Sequence, residues 1–256
     1  MENREFYIME DNLRLHAKLE FPEAEKKTYP LGIVIHGFTG NMEEPHIITA
    51  AEAMRACGYA SLRVEMYGHG GSDGEFRDHT LLRWLTNALT VIRYARGLDF
   101  VSGIVLCGHS QGGLLTMLAG AMERDVLKAI IPLSPAWMIP EEARRGNLLG
   151  CPFDPDHIPD EVIHPDGFSL RGEYFRAAQF IHSEDSISRF DGPVLLVHGS
   201  ADETVPVEYS YRAAAMYRRA ELVIIPGDTH CYDRHLDLLS QAIRGFLSGP
   251  AFSDHS

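Results

Sequence analysis

Glycines stand two residues to either side of Ser110 in the run Gly108-His109-Ser110-Gln111-Gly112, between a strand-like apolar run ending at Cys107 and an apolar helical pattern beginning at Leu114. A serine on so abrupt a passage from strand to helix needs a sharply turned backbone, and side chains at the flanking positions would clash there. The pattern therefore calls for a strand, a tight turn and a helix packed back on the sheet, which is an α/β arrangement. It also lifts the serine oxygen above the sheet at a helix N-terminus, where backbone N–H groups and the helix dipole favour developing negative charge.

The rest of the chain follows the same plan. Apolar runs at 31–35, 59–64, 104–107, 129–133, 194–197 and 222–225 read as buried strands, and amphipathic segments near 46–57, 80–96, 112–122, 207–219 and 234–247 read as helices between or after them. The alternation at 13–19 fits a half-exposed antiparallel edge strand paired with the run 6–9. From 136 to about 179 the rhythm breaks: Pro140, Pro152, Pro155, Pro159 and Pro165, with Gly146, Gly150, Gly167 and Gly172, leave no clean strand. Long irregular stretches inside compact domains usually serve as lids or binding loops. The expected organisation is a core of 1–135 and 180–256, with 136–179 inserted as a lid subdomain after the sixth strand. A mostly parallel central sheet would carry helices on both faces.

With 36 acidic against 23 basic residues and a net charge of −13, the chain would repel phosphate backbones and anionic lipid surfaces, so neither nucleic acid nor membrane is an expected partner. No apolar run is long enough to span a bilayer, and the first residues lack a basic segment followed by an apolar one, so the expected location is cytoplasmic. Cys57, Cys107, Cys151 and Cys231 form no CxxC pair or zinc-ligand spacing and read as free thiols.

A serine hydroxyl is a weak nucleophile until a base takes its proton, so Ser110 needs a histidine and an orienting acid. After the strand at 194–197 comes His198-Gly199-Ser200-Ala201-Asp202-Glu203-Thr204, and after the next comes Pro226-Gly227-Asp228-Thr229-His230. Ser110 as nucleophile, Asp202 as acid and His230 as base then follow one another in the order this architecture uses, each on a loop after a strand. Glu203 and Asp228 compete for the acid, His235 and His198 for the base. His36 reads as a strand-end histidine bonded to loops, and His109 as a neighbour of the serine pointing away from it. Acyl transfer also needs two N–H donors for an oxyanion, and the natural pair is the backbone of Gln111 with that of Phe38, in His36-Gly37-Phe38-Thr39-Gly40. The run Asp154, Asp156, His157, Asp160, His164, Asp166 matches neither HExxH nor an EF-hand loop, so no metal is expected, and the chemistry requires no cofactor.

The motifs HGFTGN, RVEMYGHGGSDG, GHSQGG, HGSADETVP and PGDTHCY, spread over almost the whole chain, resemble those of bacterial cinnamoyl (feruloyl) esterases of the α/β-hydrolase superfamily. The core motifs are shared with general carboxylesterases, monoacylglycerol lipases and thioesterases. HGFTGN and the segments Gly146-Asn147, Asp154-Pro155-Asp156-His157-Ile158-Pro159-Asp160 and Gly172-Glu173-Tyr174-Phe175-Arg176 are more specific. The resemblance implies the α/β-hydrolase fold, a small lid over the serine and hydrolysis of hydroxycinnamate esters, small molecules, through an acyl-enzyme. It implies contacts from Glu142 and Tyr174 to a phenolic hydroxyl, and it leaves a homodimer open. Glu142 stands where that pattern carries aspartate, and Leu149 where glutamine occurs.

Overall fold

The computed structural model describes residues 2–250 and Phe252. In chain order the elements are β1 (Arg4–Glu10), β2 (Leu13–Glu20), β3 (Tyr29–Ile35), α1 (Pro45–Ala56), β4 (Ala60–Val64), α2 (Leu81–Arg96), β5 (Val101–His109), α3 (Gln111–Met122) and β6 (Leu127–Leu133). Then come α4 (Ile139–Arg145), β7 (Asn147–Leu148), β8 (Cys151–Pro152), β9 (Glu161–Ile163), β10 (Ser169–Arg171), α5 (Gly172–Gln179) and α6 (Ser183–Ile187). The chain closes with β11 (Val194–Gly199), α7 (Glu208–Met216), β12 (Ala220–Ile225) and α8 (Leu236–Leu247).

Eight strands form one sheet in the order β1-β2-β4-β3-β5-β6-β11-β12. The β1–β2 and β2–β4 pairs are antiparallel, and every pair from β4 to β12 is parallel. A parallel sheet must be covered on both faces, and successive residues of one strand divide between them. In β3, Leu31, Ile33 and Ile35 join the core under α2 and α3, while Val34 joins the one under α1 and α8. Trp84 of α2 is fully buried, and truncating such a side chain costs about 3–5 kcal/mol.

The alternation at 13–19 is present in β2, but its place as an edge strand is not: β1 holds the edge and β2 lies between β1 and β4. Alternation reports which face a strand exposes and says nothing of what pairs along its sides. The segment between β6 and β11 also holds more order than its prolines suggest. The pairs β7–β8 and β9–β10 are antiparallel ribbons of two and three residues per strand, too short to show a period. Gly146 closes α4 in the left-handed conformation at φ 73°, as a C-terminal glycine does. Trp137, Ile139, Leu148, Leu170 and Tyr174 enter the same core as β3 and α3. No helix among the described residues is long and apolar enough to cross a membrane.

Candidate active site

Ser110 sits between the last residue of β5 and the first of α3 at φ 55° and ψ −117°, a backbone conformation that costs a non-glycine residue of order 1–3 kcal/mol. Surrounding bonds hold it there: its N–H donates to the Leu133 carbonyl at 2.9 Å, and its carbonyl accepts from Leu114 and Ala136 at 3.0 Å each. The glycines are forced by contact, because a Cβ on Gly112 would collide with the carbonyl oxygens of Ile35 and His36.

Asp202, on the turn after β11, has a fully buried side chain. Its Oδ1 accepts from the N–H groups of Thr204 and Val205 at 2.9 and 2.8 Å, and its Oδ2 accepts from His230 Nδ1 at 2.7 Å. His198 Nε2 lies 3.1 Å from the same Oδ2. Burial alone would raise the Asp202 pKa, but the hydrogen bonds from His198 and His230 outweigh it and hold the carboxyl well below the usual range. With Nδ1 engaged, His230 presents Nε2 to the cavity it shares with Ser110. Among the described residues no hydrogen bond joins Ser110 Oγ to His230, and both residues line the same cavity.

The competitors have other duties. Glu203 is exposed, and Asp228 is buried, with Oδ1 accepting from the N–H groups of Thr229 and Arg234. His235 precedes α8, and His198 holds Ser210 Oγ and the Val205 carbonyl. His36 bonds the Gly37 carbonyl through Nδ1 and accepts the Met66 N–H at Nε2. His109 turns from the serine and donates from Nε2 to the His230 carbonyl. Tyr232, fully buried, fastens the same loop by donating to the Val197 carbonyl at 2.9 Å.

Phe38 follows β3, and its carbonyl accepts from His69 Nε2 at 2.6 Å. Gly37 brings this loop close: a Cβ there would stand 3.2 Å from Ser110 Cβ. Among the described residues the N–H groups of Phe38 and Gln111 have no acceptor, so both remain available to a ligand. Tyr174 departs from its expected place. It is fully buried, does not line the cavity, and donates its hydroxyl to Gln111 Oε1 at 2.6 Å.

The cavity over Ser110 measures about 470 Å³, within the usual range for small-molecule sites. One wall is Gly37, Phe38, Thr39 and Gly40; another is Met138, Glu142, Leu149, Gly150, His164, Asp166 and Phe168; Glu44, His109, Thr204, His230 and Cys231 complete it. Glu142 is half-buried, and burial pushes its pKa up although the Leu149 N–H opposes the shift. Phe168 stacks on His164 at 4.2 Å between centroids and meets Phe38 edge-on at 5.5 Å. His164 and Asp166, members of the run that matches no metal motif, both line the cavity. No spacing signals this, because the β9–β10 ribbon carries them there.

Residues 30–153 match the Hydrolase_4 family model, described as serine aminopeptidase, S33. A solved structure of Est1E from Butyrivibrio proteoclasticus with ferulic acid bound is 54% identical, covers 94% of this chain and 97% of its own, and superposes with a TM-score of 0.93. The mouse palmitoyl-protein thioesterase ABHD10, mitochondrial, is 24% identical over 194 residues, 71% of this chain and 62% of its own. The chain thus spans about 60% of the length of the curated relatives it matches. The solved mouse alpha/beta hydrolase domain-containing protein 10, at 20% identity, 94% and 96% coverage and a TM-score of 0.76, shares the fold.

Proposed function

The chain belongs to the cinnamoyl (feruloyl) esterase family of the α/β-hydrolase superfamily, and on that premise we propose that it hydrolyses hydroxycinnamate esters in two steps on Ser110. His230 Nε2 takes the Ser110 proton as Oγ attacks the ester carbonyl, while Asp202 stabilises the imidazolium through Nδ1. The N–H groups of Phe38 and Gln111 hold the oxyanion. The same histidine protonates the departing alcohol, then takes a proton from the water that releases the acid. Every proton moves between named groups, so the scheme calls on no cofactor.

The observation that carries the acyl group is the 54% identity to Est1E, which binds ferulic acid. The cavity suits a flat ring with a polar edge: Phe38, Met138 and Phe168 offer apolar surface, and Glu142 and His164 offer hydrogen-bonding groups. In this reading residues 136–179 act as a lid, Glu142 meets the ring hydroxyl, and Tyr174 acts through Gln111. The four free thiols fit a reducing compartment, hence a cytoplasmic enzyme.

The test compares kcat/KM for a ferulate ester, a medium-chain acylglycerol and an acyl-thioester. The ferulate ester should lead by at least tenfold; a thioester or acylglycerol ahead of it would overturn the substrate class.

A further inference from the structure

Three potential metal ligands meet beside the cavity from a helix, a strand end and a loop. His46 Nε2 in the first turn of α1, His109 Nδ1 at the end of β5 and Cys231 Sγ after β12 lie within 4.8 Å of one another. Both histidines are buried and Cys231 is half-buried. No sequence motif announces the group, because its members lie 63 and 122 residues apart along the chain.

The orientation of His109 is fixed in the way a ligating histidine usually is. Its Nε2–H donates to the His230 carbonyl at 2.8 Å, which leaves the Nδ1 lone pair facing His46, whose Nε2–H donates to it at 3.1 Å. A second ring nitrogen held by a backbone carbonyl is the outer contact that sets tautomer and direction in metal sites. Glu44 stands next to the group, with Oε2 3.8 Å from His46 Nε2, and lines the cavity with His109 and Cys231. Two imidazoles, one thiolate and one carboxylate are a donor set for a borderline cation such as zinc, and calcium or magnesium would not select it. At ordinary zinc–nitrogen and zinc–sulfur lengths the donors stand about 3.5 Å apart. Closing from 4.8 Å to that spacing asks an inward movement of about 1 Å.

We propose that His46, His109 and Cys231, joined by Glu44, bind one zinc-like divalent cation, and that loading this site inhibits the enzyme. Bonds form from the cation to the two nitrogens, the sulfur and a carboxylate oxygen. The Cys231 S–H proton leaves to solvent, His46 gives up its Nε2 proton to solvent and takes one up on Nδ1, its bond to His109 Nδ1 is replaced by the two bonds to the cation, and no electron is transferred. Inhibition follows from position: His109 adjoins Ser110, Cys231 adjoins His230, and a Cβ on Gly37 would stand 3.1 Å from His109 Nδ1. Drawing the ligands together displaces both sides of the site at once. The inhibitory half of the proposal rests on the esterase reading; the binding half does not.

The experiment adds Co²⁺ to the purified full chain and follows the cobalt–thiolate charge-transfer absorption, then displaces it with Zn²⁺ while hydrolysis of a ferulate ester is measured in parallel. One equivalent should saturate the band, Zn²⁺ should abolish it, and a chelator should restore activity. Cys231→Ser and His46→Gln should each lose the band and resist zinc at least tenfold better, measured against their own metal-free rates, whereas Cys57→Ser should keep both responses. Absence of the band, its survival in Cys231→Ser, or equal zinc inhibition in His46→Gln would overturn the site. A band with these dependences in a chain that hydrolyses no ester would support the binding site and overturn the esterase reading instead.

Discussion

His109 donates from Nε2 to the carbonyl oxygen of His230 at 2.8 Å, so the residue before the serine is bonded to the backbone of the histidine beyond β12. The contact sets the distance between two loops that covalent connection leaves free. Replacing His109 with leucine removes the donor and leaves a carbonyl without its partner, at a cost of roughly 1–3 kcal/mol. The His109→Leu variant should keep the fold, by circular dichroism, while kcat falls about tenfold or more with KM little changed. An unchanged kcat would show that the loops hold their spacing without it.

Asp202 and Glu203 are neighbours with opposite surroundings. Asp202 is enclosed and bonded to His230 Nδ1; Glu203 is exposed. The Asp202→Asn variant should lose several orders of magnitude in kcat, because an amide neither stabilises the imidazolium nor fixes its tautomer. Glu203→Gln should stay within about twofold of the parent. Equal losses in the two variants would remove Asp202 from its proposed role.

Much of this arrangement is legible in the sequence, and the reasons differ by element. Residues 31–35 of β3 and 104–107 of β5 are buried on both faces, so they appear as short apolar runs, and the glycines around Ser110 mark a sharp strand-to-helix turn. The region from α4 to α5 is not legible in that way. Its ribbons, with two or three residues per strand, are too short for a strand's alternation to repeat, and Leu149 at φ 54° beside Gly150 at φ 76° makes a turn that composition does not predict. His164 reaches the cavity, and Tyr174 is taken up by Gln111, through contacts between segments far apart in the chain.

The Tyr174–Gln111 bond changes what a Tyr174→Phe variant should do. If Tyr174 met the substrate, only esters with a ring hydroxyl would suffer. Because its hydroxyl holds the side chain of the residue whose N–H is proposed to bind the oxyanion, kcat should fall by similar factors, roughly fivefold, for ferulate and unsubstituted cinnamate esters. Glu142→Ala should discriminate, lowering kcat/KM for the ferulate ester about tenfold more than for the cinnamate ester. Selective loss in Tyr174→Phe with none in Glu142→Ala would reverse the two assignments.

Acid should destabilise the fold through its buried histidines. Burial first, with charge repulsion from His69 for His36 and from His230 for His46, lowers His36 to about 3 and His46 to about 4; burial likewise lowers His79 to about 3. Protonating His36 would break its bond from the Met66 N–H, and His79 Nε2 has no acceptor to meet a new proton. These folded values lie below the unfolded value of about 6.5, so the unfolded chain binds more protons and stability rises with pH across that window. Stability is fully present above about pH 6.5 and is lost as pH falls toward 3–4, by up to roughly 2 kcal/mol per histidine at pH 5. Denaturant midpoints measured from pH 7.5 to 5 should fall steadily; a flat profile would show that these rings titrate normally.

The central claim is that Ser110 carries a hydroxycinnamoyl group between two chemical steps. Mixing the enzyme with an activated ferulate ester, quenching in acid within the first turnover and locating the adduct by peptide mass spectrometry tests it most directly. The account predicts a feruloyl group on the peptide containing Ser110, at up to one equivalent, and none on the Ser110→Ala variant, whose turnover falls by several orders of magnitude. A feruloyl adduct on another residue, or full turnover by Ser110→Ala, would contradict it.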